Sequence, residues 1–309
     1  MTFAGRRVLV TGASGFLGTH LTRRLAREGA DVHGVSRGAR PSEAPEGTGG
    51  VACWWQADLT DYAAVESLLD AARPDVVFHL SGHVTAAPDF VAVVPTFQSL
   101  VSTVHLLSAV TRARAMRLVL VGSLTEPSRG ASAATPGSPY AAAKWAASVY
   151  GRMFHSLYHA PVVVTRLAYS YGPGQGRHRL IPYVIEALLR GEAPRLSTGR
   201  LRADLAYVDD VIDGLILAAA TDQAVGQVVD LGSGTLVPMR EVVRRLVRLA
   251  GVSVEPQFGA VPDRPHETFR PAAAGHTRAL LGWHATTKLE PGLLRTLDWY
   301  RARTAPGAR

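Results

Sequence analysis

Short apolar runs rich in Val and Leu alternate along the first half of the chain with longer stretches whose apolar residues recur at helical spacing. Arg6–Thr11, Asp31–Ser36, Val51–Gln56, Val76–Leu80, Leu118–Gly122 and Val162–Leu167 read as buried strands. Phe16–Glu28, Asp61–Arg73, Val91–Ala115 and Tyr140–Tyr158 read as the intervening helices. Gly29 and Pro74 close the first two of these, and the polar, Gly- and Pro-rich segment Gly38–Gly50 is a loop. Strands alternating with helices predict an α/β fold: a doubly wound, Rossmann-type parallel sheet covered on both faces. Ligands on such sheets bind beyond the carboxyl ends of the strands.

After residue 168 the pattern changes. Gly172-Pro173-Gly174 interrupts it, and Pro182–Gly191 is a short helix. Val208–Thr221 is a helix and Gln227–Leu231 a late strand. Met239–Gly251 and Gly292–Arg303 are amphipathic helices, and the polar tail from Thr304 frays. The division expected is a dinucleotide-binding domain over 1–168, joined by a returning segment at about 207–232. A smaller, interleaved C-terminal α/β substrate lobe takes 169–206 and 233–309.

Composition narrows the picture. Of 309 residues 47% are hydrophobic and 19% charged, which excludes a disordered chain. Cys53 is alone, so no internal disulfide forms, and the expected location is cytoplasmic. No uninterrupted apolar stretch reaches the roughly 18 residues of a membrane span. The net charge of +8 invites a nucleic-acid reading. Against it, the arginines are scattered, and the densest group (Arg240, Arg244, Arg245, Arg248) recurs at helical spacing as a solvated face. Anionic small molecules are the better partner. No His-Glu-x-x-His and no cysteine cluster is present, so no metal is expected. Asp209-Asp210, before an apolar helix, read as an N-cap and dipole partner.

Thr11-Gly12-Ala13-Ser14-Gly15-Phe16-Leu17-Gly18 lies between the first strand and the first helix. Gly12 takes the tight turn, Gly15 admits a pyrophosphate to the backbone, and Gly18 lets the helix close on the strand. The phosphates then meet the free N–H groups of the helix. An acid at the end of the second strand would bond the ribose hydroxyls of NAD. Here the strand ends Val35-Ser36-Arg37, with no acid before Glu43. Ser36 and Arg37 suit a 2′-phosphate, so NADP(H) is the expected cofactor.

Tyr140 and Lys144 stand one helical turn apart, after Ser138 as N-cap and Pro139 as first helical residue. A tyrosine with a pKa of about 10 needs a neighbouring ammonium to exchange protons near neutrality. Lysine's rarity argues against coincidence: Lys144 and Lys288 are the only two, among 33 basic residues.

The three-three glycine spacing followed by Phe16-Leu17-Gly18 resembles the extended short-chain dehydrogenase/reductase family, which includes nucleotide-sugar epimerases, dehydratases and reductases. Asp58-Leu59-Thr60-Asp61 resembles its adenine contact, and His79-Leu80-Ser81-Gly82 the segment along the cofactor's ribose and nicotinamide half. Arg166 through Tyr171-Gly172-Pro173-Gly174-Gln175, Tyr207-Val208-Asp209-Asp210-Val211 and Leu281-Gly282-Trp283 extend the likeness over nearly the whole chain. The resemblance implies a catalytic hydroxyl after the fifth strand: Ser123, with Thr125 as the alternative and a substrate contact. It implies that Tyr140 and Lys144 complete a triad and that Lys144 also holds the ribose. Dehydratase members carry an Asp-Glu pair directly after that hydroxyl. Leu124 and Thr125 stand there instead, and Glu126 comes one position later.

The expected function is an NADPH-dependent ketoreductase acting on a nucleotide-linked keto-sugar, a 4-keto-6-deoxyhexose in particular. Alternatives are a nucleotide-sugar 4-epimerase, a reductase of a polyketide or aromatic ketone, or an NADP sensor without catalysis. Arg177, Arg179, Arg202 and Arg264 lie in the substrate lobe and suit a diphosphate. Arg264 resembles the family's diphosphate-binding arginine most, and Arg177 is taken with it as a substrate contact. A homodimer is left open.

Overall fold

The computed structural model describes residues 3–38, 50–85, 89–113, 116–127, 135–264 and 266–304. The loops expected over Gly38–Gly50 and Glu126–Thr135, the end of the third helix at Ala115 and the tail after Thr304 lie wholly or largely outside these residues.

In chain order the elements are β1 (Arg7–Thr11), α1 (Phe16–Arg27), β2 (Asp31–Ser36), β3 (Cys53–Gln56), α2 (Tyr62–Ala72), β4 (Val76–His79), α3 (Val93–Ala113), β5 (Arg117–Ser123), α4 (Pro139–Tyr158) and β6 (Val162–Leu167). There follow β7 (Tyr169–Tyr171), α5 (Leu180–Leu189), β8 (Arg195–Leu196), β9 (Arg202–Tyr207), α6 (Val208–Ala220) and β10 (Val228–Leu231). Last come β11 (Leu236–Pro238), α7 (Met239–Ala250), β12 (Gln257–Phe258), α8 (Ala274–Leu281) and α9 (Leu289–Thr304).

Seven strands form one sheet in the order β10-β6-β5-β4-β1-β2-β3, all parallel. The order reverses between β1 and β4, and a cleft opens there beyond the carboxyl ends. The two-residue period of a strand divides its apolar side chains between two cores. Val8 and Val10 of β1, with Val119 and Val121 of β5, face α1 and α6. Leu9, Leu118 and Leu120 face α2, α3 and α4.

Local chemistry sets the helix ends. The Asp61 carboxylate accepts from Ala63 N at 2.9 Å and caps α2. The Ser138 hydroxyl accepts from Ala141 N at 3.1 Å and caps α4, with Pro139 in its first turn. With its preceding turn, α3 forms an apolar span over Phe90–Ala113, of mean hydropathy 1.6 and long enough to cross a membrane. It is not an uninterrupted apolar run of the kind absent from the sequence. Thr96, Gln98, Ser99, Ser102 and Thr103 interrupt its apolar residues, and Gln98, Ser99 and Ser102 help wall the cleft.

The C-terminal half adds two small sheets, β11-β9-β7 and β12-β8, with α5, α7 and α9 packed together around them. β7, β8, β11 and β12, at two or three residues each, and α8 carry too few residues to show a period in the sequence. β9 (RADLAY) is as long as β2 but has Arg202 and Asp204 in place of a continuous apolar run. The late strand β10 pairs with β6 and completes the main sheet, with α6 packed beneath it.

Candidate active site

The cleft measures about 1250 Å³ and runs from the end of β2 to the C-terminal lobe. At its centre is the turn from β1 to α1. Gly12 has φ +70°, and a Cβ there would lie 2.9 Å from Ser81 N. Gly15 is the N-cap of α1, without a side-chain cap and with no acid in the first turn, so the N–H groups stay open to an anion. A Cβ on Gly18 would collide with the Gly12 carbonyl and come 2.7 Å from Ala13 Cα, which would push α1 off β1. Ser14, Phe16 and Leu17 complete this wall. A close-approach turn under an uncapped helix N-terminus fits the pyrophosphate of a dinucleotide.

At the β2 end, Ser36, Arg37, Asp58 and Leu59 line the cleft. The Ser36 hydroxyl donates to Gly38 O at 2.7 Å, and Gln56 donates to Arg37 O at 3.2 Å, which ties this corner together. Asp58 accepts from Thr60 N at 2.9 Å and from its hydroxyl at 2.8 Å. These bonds, with a smaller pull from Arg37, hold its carboxyl below its usual value. Asp58 therefore brings an acid near Arg37 from the β3 side, which reading β2 alone missed.

Leu80, Ser81 and Gly82 follow β4 and form the next stretch of wall. The buried His79 ring orders them. Its Nδ1 lies 2.8 Å from the Thr11 hydroxyl and its Nε2 3.0 Å from that of Thr103. Ser81 N donates to Thr11 Oγ1 at 3.2 Å. Burial, helped by the Lys144 charge, pushes His79 down to about 3, so the ring is neutral. Sequence reading gave this histidine no role of its own.

The triad residues meet where β5 ends. The Ser123 hydroxyl lies 2.8 Å from Thr125 Oγ1 and close enough to the Tyr140 phenol to favour its charged form. Lys144 Nζ donates to Val121 O at 2.7 Å and stands 5.9 Å from the centroid of the Tyr140 ring. Burial pushes Lys144 down to about 8, with Glu126 opposing. The expectation that Lys144 draws the tyrosine down needs revision. Burial raises the Tyr140 phenol, and the opposing pulls come from the Ser123 hydrogen bond and the Arg179 charge.

The C-terminal lobe contributes Tyr169, Ser170, Gln175, His178, Arg179, Glu267 and Phe269 to the cleft. The arginines divide. Arg177, 84% exposed, pairs with Glu186 at 3.0 Å and does not line the cleft. Arg264 pairs with Glu267 at 3.4 Å and stands outside the lining, and Arg202 bonds Leu236 O at 3.1 Å. Arg179 is the one of the four that reaches the cleft, within electrostatic range of Tyr140, Tyr169 and Glu267. Only His178 separates it from Arg177, and the turn into α5 chooses between them.

Of the N-cap and dipole roles expected for Asp209 and Asp210, the structure keeps the second and corrects the first. Tyr207 is the N-cap of α6, and both acids lie in the first turn. Asp210 is buried and accepts from the Thr286 hydroxyl at 2.8 Å and Thr287 N at 2.9 Å, which anchors the approach to α9. Among the described residues no group of three His, Cys, Asp or Glu could hold a metal.

Residues 8–232 match the NAD dependent epimerase/dehydratase family. The chain is 30% identical to a UDP-glucose 4-epimerase of Mycolicibacterium smegmatis, over 96% of this chain and 99% of that one. The dTDP-glucose 4,6-dehydratase of Streptomyces venezuelae, solved with NAD bound, superposes with TM-score 0.83 at 26% identity, covering 96% and 97% of the two chains. MoeE5 in complex with UDP-glucuronic acid and NAD superposes with TM-score 0.82 at 27% identity, covering 96% and 99%. The glycine turn, the Tyr140–Lys144 helix and these matches agree: the chain belongs to the NAD-dependent epimerase/dehydratase family, an enzyme family of extended short-chain dehydrogenase/reductases that bind NAD(P).

Proposed function

We propose that this protein is an NADPH-dependent ketoreductase of a nucleotide-linked keto-sugar, with a 4-keto-6-deoxyhexose as substrate. One observation carries the choice of reaction. The carboxylate that follows β5, Glu126, turns away from the cleft, so the strand end presents hydroxyls alone. Protonating a carbonyl oxygen needs one hydroxyl acid. Eliminating water from a sugar needs a further acid–base pair, which the end of β5 does not supply. The preference for NADPH rests on Arg37, a planar cation at the cofactor's ribose end. The substrate class rests on relatives that act on or bind nucleotide sugars.

When bound, reduced nicotinamide supplies the two electrons and one hydrogen that the carbonyl carbon takes up. The protein manages the oxygen. The Ser123 hydroxyl, beside the Tyr140 phenol, would bond the substrate oxygen as charge develops there. Tyr140 delivers the proton and leaves an alcohol. Lys144, anchored on Val121 O, would hold the cofactor's ribose, and the charge left on the phenol is favoured by the Ser123 hydroxyl and Arg179. Thr125 stands beside Ser123 as a second hydroxyl contact. Arg264 and Arg177 remain candidates for the diphosphate at the outer rim.

A 4-epimerase is the second reading, favoured by the 30% identity to a UDP-glucose 4-epimerase over almost the full length of both chains. It would use the same Tyr140 in both directions with no net loss of cofactor. The test is incubation with NADPH or NADH and a panel of thymidine- and uridine-diphosphate keto-sugars, alongside UDP-glucose. Stoichiometric loss of reduced-nicotinamide absorbance with a keto-sugar, faster with NADPH, is the expected result. Interconversion of UDP-glucose and its epimer without cofactor loss would replace this reading with the second. Turnover of simple aromatic ketones alone would remove the nucleotide from the substrate.

A further inference from the structure

Glu126 is 3% exposed and lies in the turn that follows β5. Its Oε1 accepts from Ser123 N at 2.7 Å and from the Ser148 hydroxyl of α4 at 3.0 Å. The backbone closes the same turn, with Glu126 N donating to Ser123 O at 3.2 Å. Room for the carboxylate comes from Gly122. A Cβ there would lie 2.8 Å from Ser148 Oγ and 3.1 Å from the Arg166 side chain, besides striking the Glu126 carboxylate itself. The acid thus sits behind the strand end, under the two hydroxyls that the cleft displays.

The charged groups around it come from two elements. Arg166 of β6 and Lys144 of α4 are the cations in range, and the Tyr140 phenol feels the Glu126 charge from the cleft side. Arg166 is itself committed to Asp230 of β10, at 2.8 Å. Burial pushes Glu126 up to about 7, while Ser123 N–H, the Ser148 hydroxyl, Arg166 and Lys144 pull the other way. Lys144 stands at about 8, and Glu126 is the group holding it up against its own burial.

Nothing in the two hydrogen bonds requires an acid. The carbonyl of a glutamine would accept both, without the cost of ionising a buried group. What the carboxylate adds is charge, placed under the amine and the phenol of the reaction. We propose that Glu126 is a positioning residue for the catalytic pair: it clamps the backbone that presents Ser123, and its charge sets the field beneath Lys144. The inference rests on the Tyr140–Lys144 reading of the site. In the range where both groups titrate, an ionised Glu126 keeps Lys144 charged, and losing that charge sends the amine neutral at lower pH. His79, the other ring beside Lys144, is already neutral across this range and does not contribute a step.

The lysine count makes the test direct. Lys144 and Lys288 are the only lysines, so Lys288→Arg leaves one, and lysine labelled with ¹³C at the ε carbon reports Lys144 alone by NMR. Comparing that background with and without Glu126→Gln, the Lys144 titration should fall by about one pH unit or more. The alkaline limb of the kcat/KM profile should move down with it. Glu126→Asp, whose charge sits one methylene away, should produce a smaller fall; it also answers the question if circular dichroism shows that Glu126→Gln does not fold. An unchanged Lys144 titration in a folded variant overturns the proposal. The NMR arm needs no substrate. A protein inactive on every keto-sugar but showing the shift keeps this inference and rejects the ketoreductase; an active one without the shift does the reverse.

Discussion

Asp230 offers the sharpest test of how the lobe is held against the catalytic strand. It is 1% exposed, and its two oxygens take four donors. Oδ1 accepts from Arg166 Nε at 2.8 Å and from an Arg270 N–H at 3.1 Å. Oδ2 accepts from a second Arg270 N–H at 2.7 Å and from Ala273 N at 2.9 Å. Burial opposes the charge, but Arg270, Arg166 and the Ala273 amide outweigh it and hold the carboxyl below its usual value. Asp230→Asn keeps one acceptor and turns an amide N–H₂ toward donors, so two of the four bonds fail. At about 1.5–3 kcal/mol for each bond to a charged group, the loss is about 3–6 kcal/mol. That agrees with the roughly 3–5 kcal/mol of a broken buried pair. With a urea slope of about 3 kcal/mol/M, a loss near 4 kcal/mol lowers the unfolding midpoint by about 1.3 M. The pH dependence has a fixed sign. A depressed carboxyl gives stability that is present above its unfolded value near 4 and is lost as pH falls through the folded one. That acid-side loss should shrink in the variant. Function should follow, because Arg270 N donates to Leu124 O at 3.2 Å and Glu267–Phe269, just before it, line the cleft. KM for the substrate should rise while NADPH affinity holds. Adding Arg270→Met to Asp230→Asn removes one stranded cation and should restore part of the stability. A midpoint shift under about 0.3 M, or a double variant weaker than the sum of the singles, would refute this account.

Tyr140→Phe should leave the fold and NADPH binding intact and lower turnover about 100-fold or more, the scale of a lost general acid; near wild-type NADPH consumption on a confirmed substrate would move the acid to another hydroxyl. Arg37→Ala should weaken NADPH binding, read by fluorescence titration, and spare NADH; equal losses would mean that Arg37 shapes the corner instead of reading a phosphate. Arg179→Lys should lower kcat through Tyr140, since a lysine cannot copy the guanidinium's reach, whereas Arg264→Lys should raise KM for a nucleotide-sugar; the opposite pattern would exchange the two roles.

The catalytic helix was legible because its signals are local. Ser138 and Pro139 set its start, and the four-residue spacing puts Tyr140 and Lys144 on one face. Gly15 and Gly18 were legible for the same reason, since their contacts lie within six residues, whereas the contact that requires Gly12 is Ser81, 69 residues further on. Beyond that reach the reading failed in identifiable ways. Arg177 and Arg179 look alike in the sequence, and the pairing of Arg177 with Glu186 on α5 leaves only Arg179 for the cleft. Glu126 sits one position from where a dehydratase acid belongs. Whether that step points it into the cleft or behind the strand depends on Gly122, Ser148 and Arg166, the last from a strand 40 residues further on.

Alternation of short continuous apolar runs with stretches of 3.6-residue period was enough for a parallel sheet with helices on both faces, since few other arrangements bury such elements. It placed the nucleotide turn after β1 and the Tyr–Lys pair after β5 without any knowledge of contacts. Electrostatics had to wait for the fold. Burial raises Tyr140, neutralises His79 and brings Lys144 to about 8, and that burial exists only once the chain has folded around them. Periodicity and capping act over a turn or a strand, so the chain carries them openly. Desolvation and charge pairing depend on which surfaces meet, and that is settled only when β6, β10 and the segment around Arg270 close behind the catalytic strand.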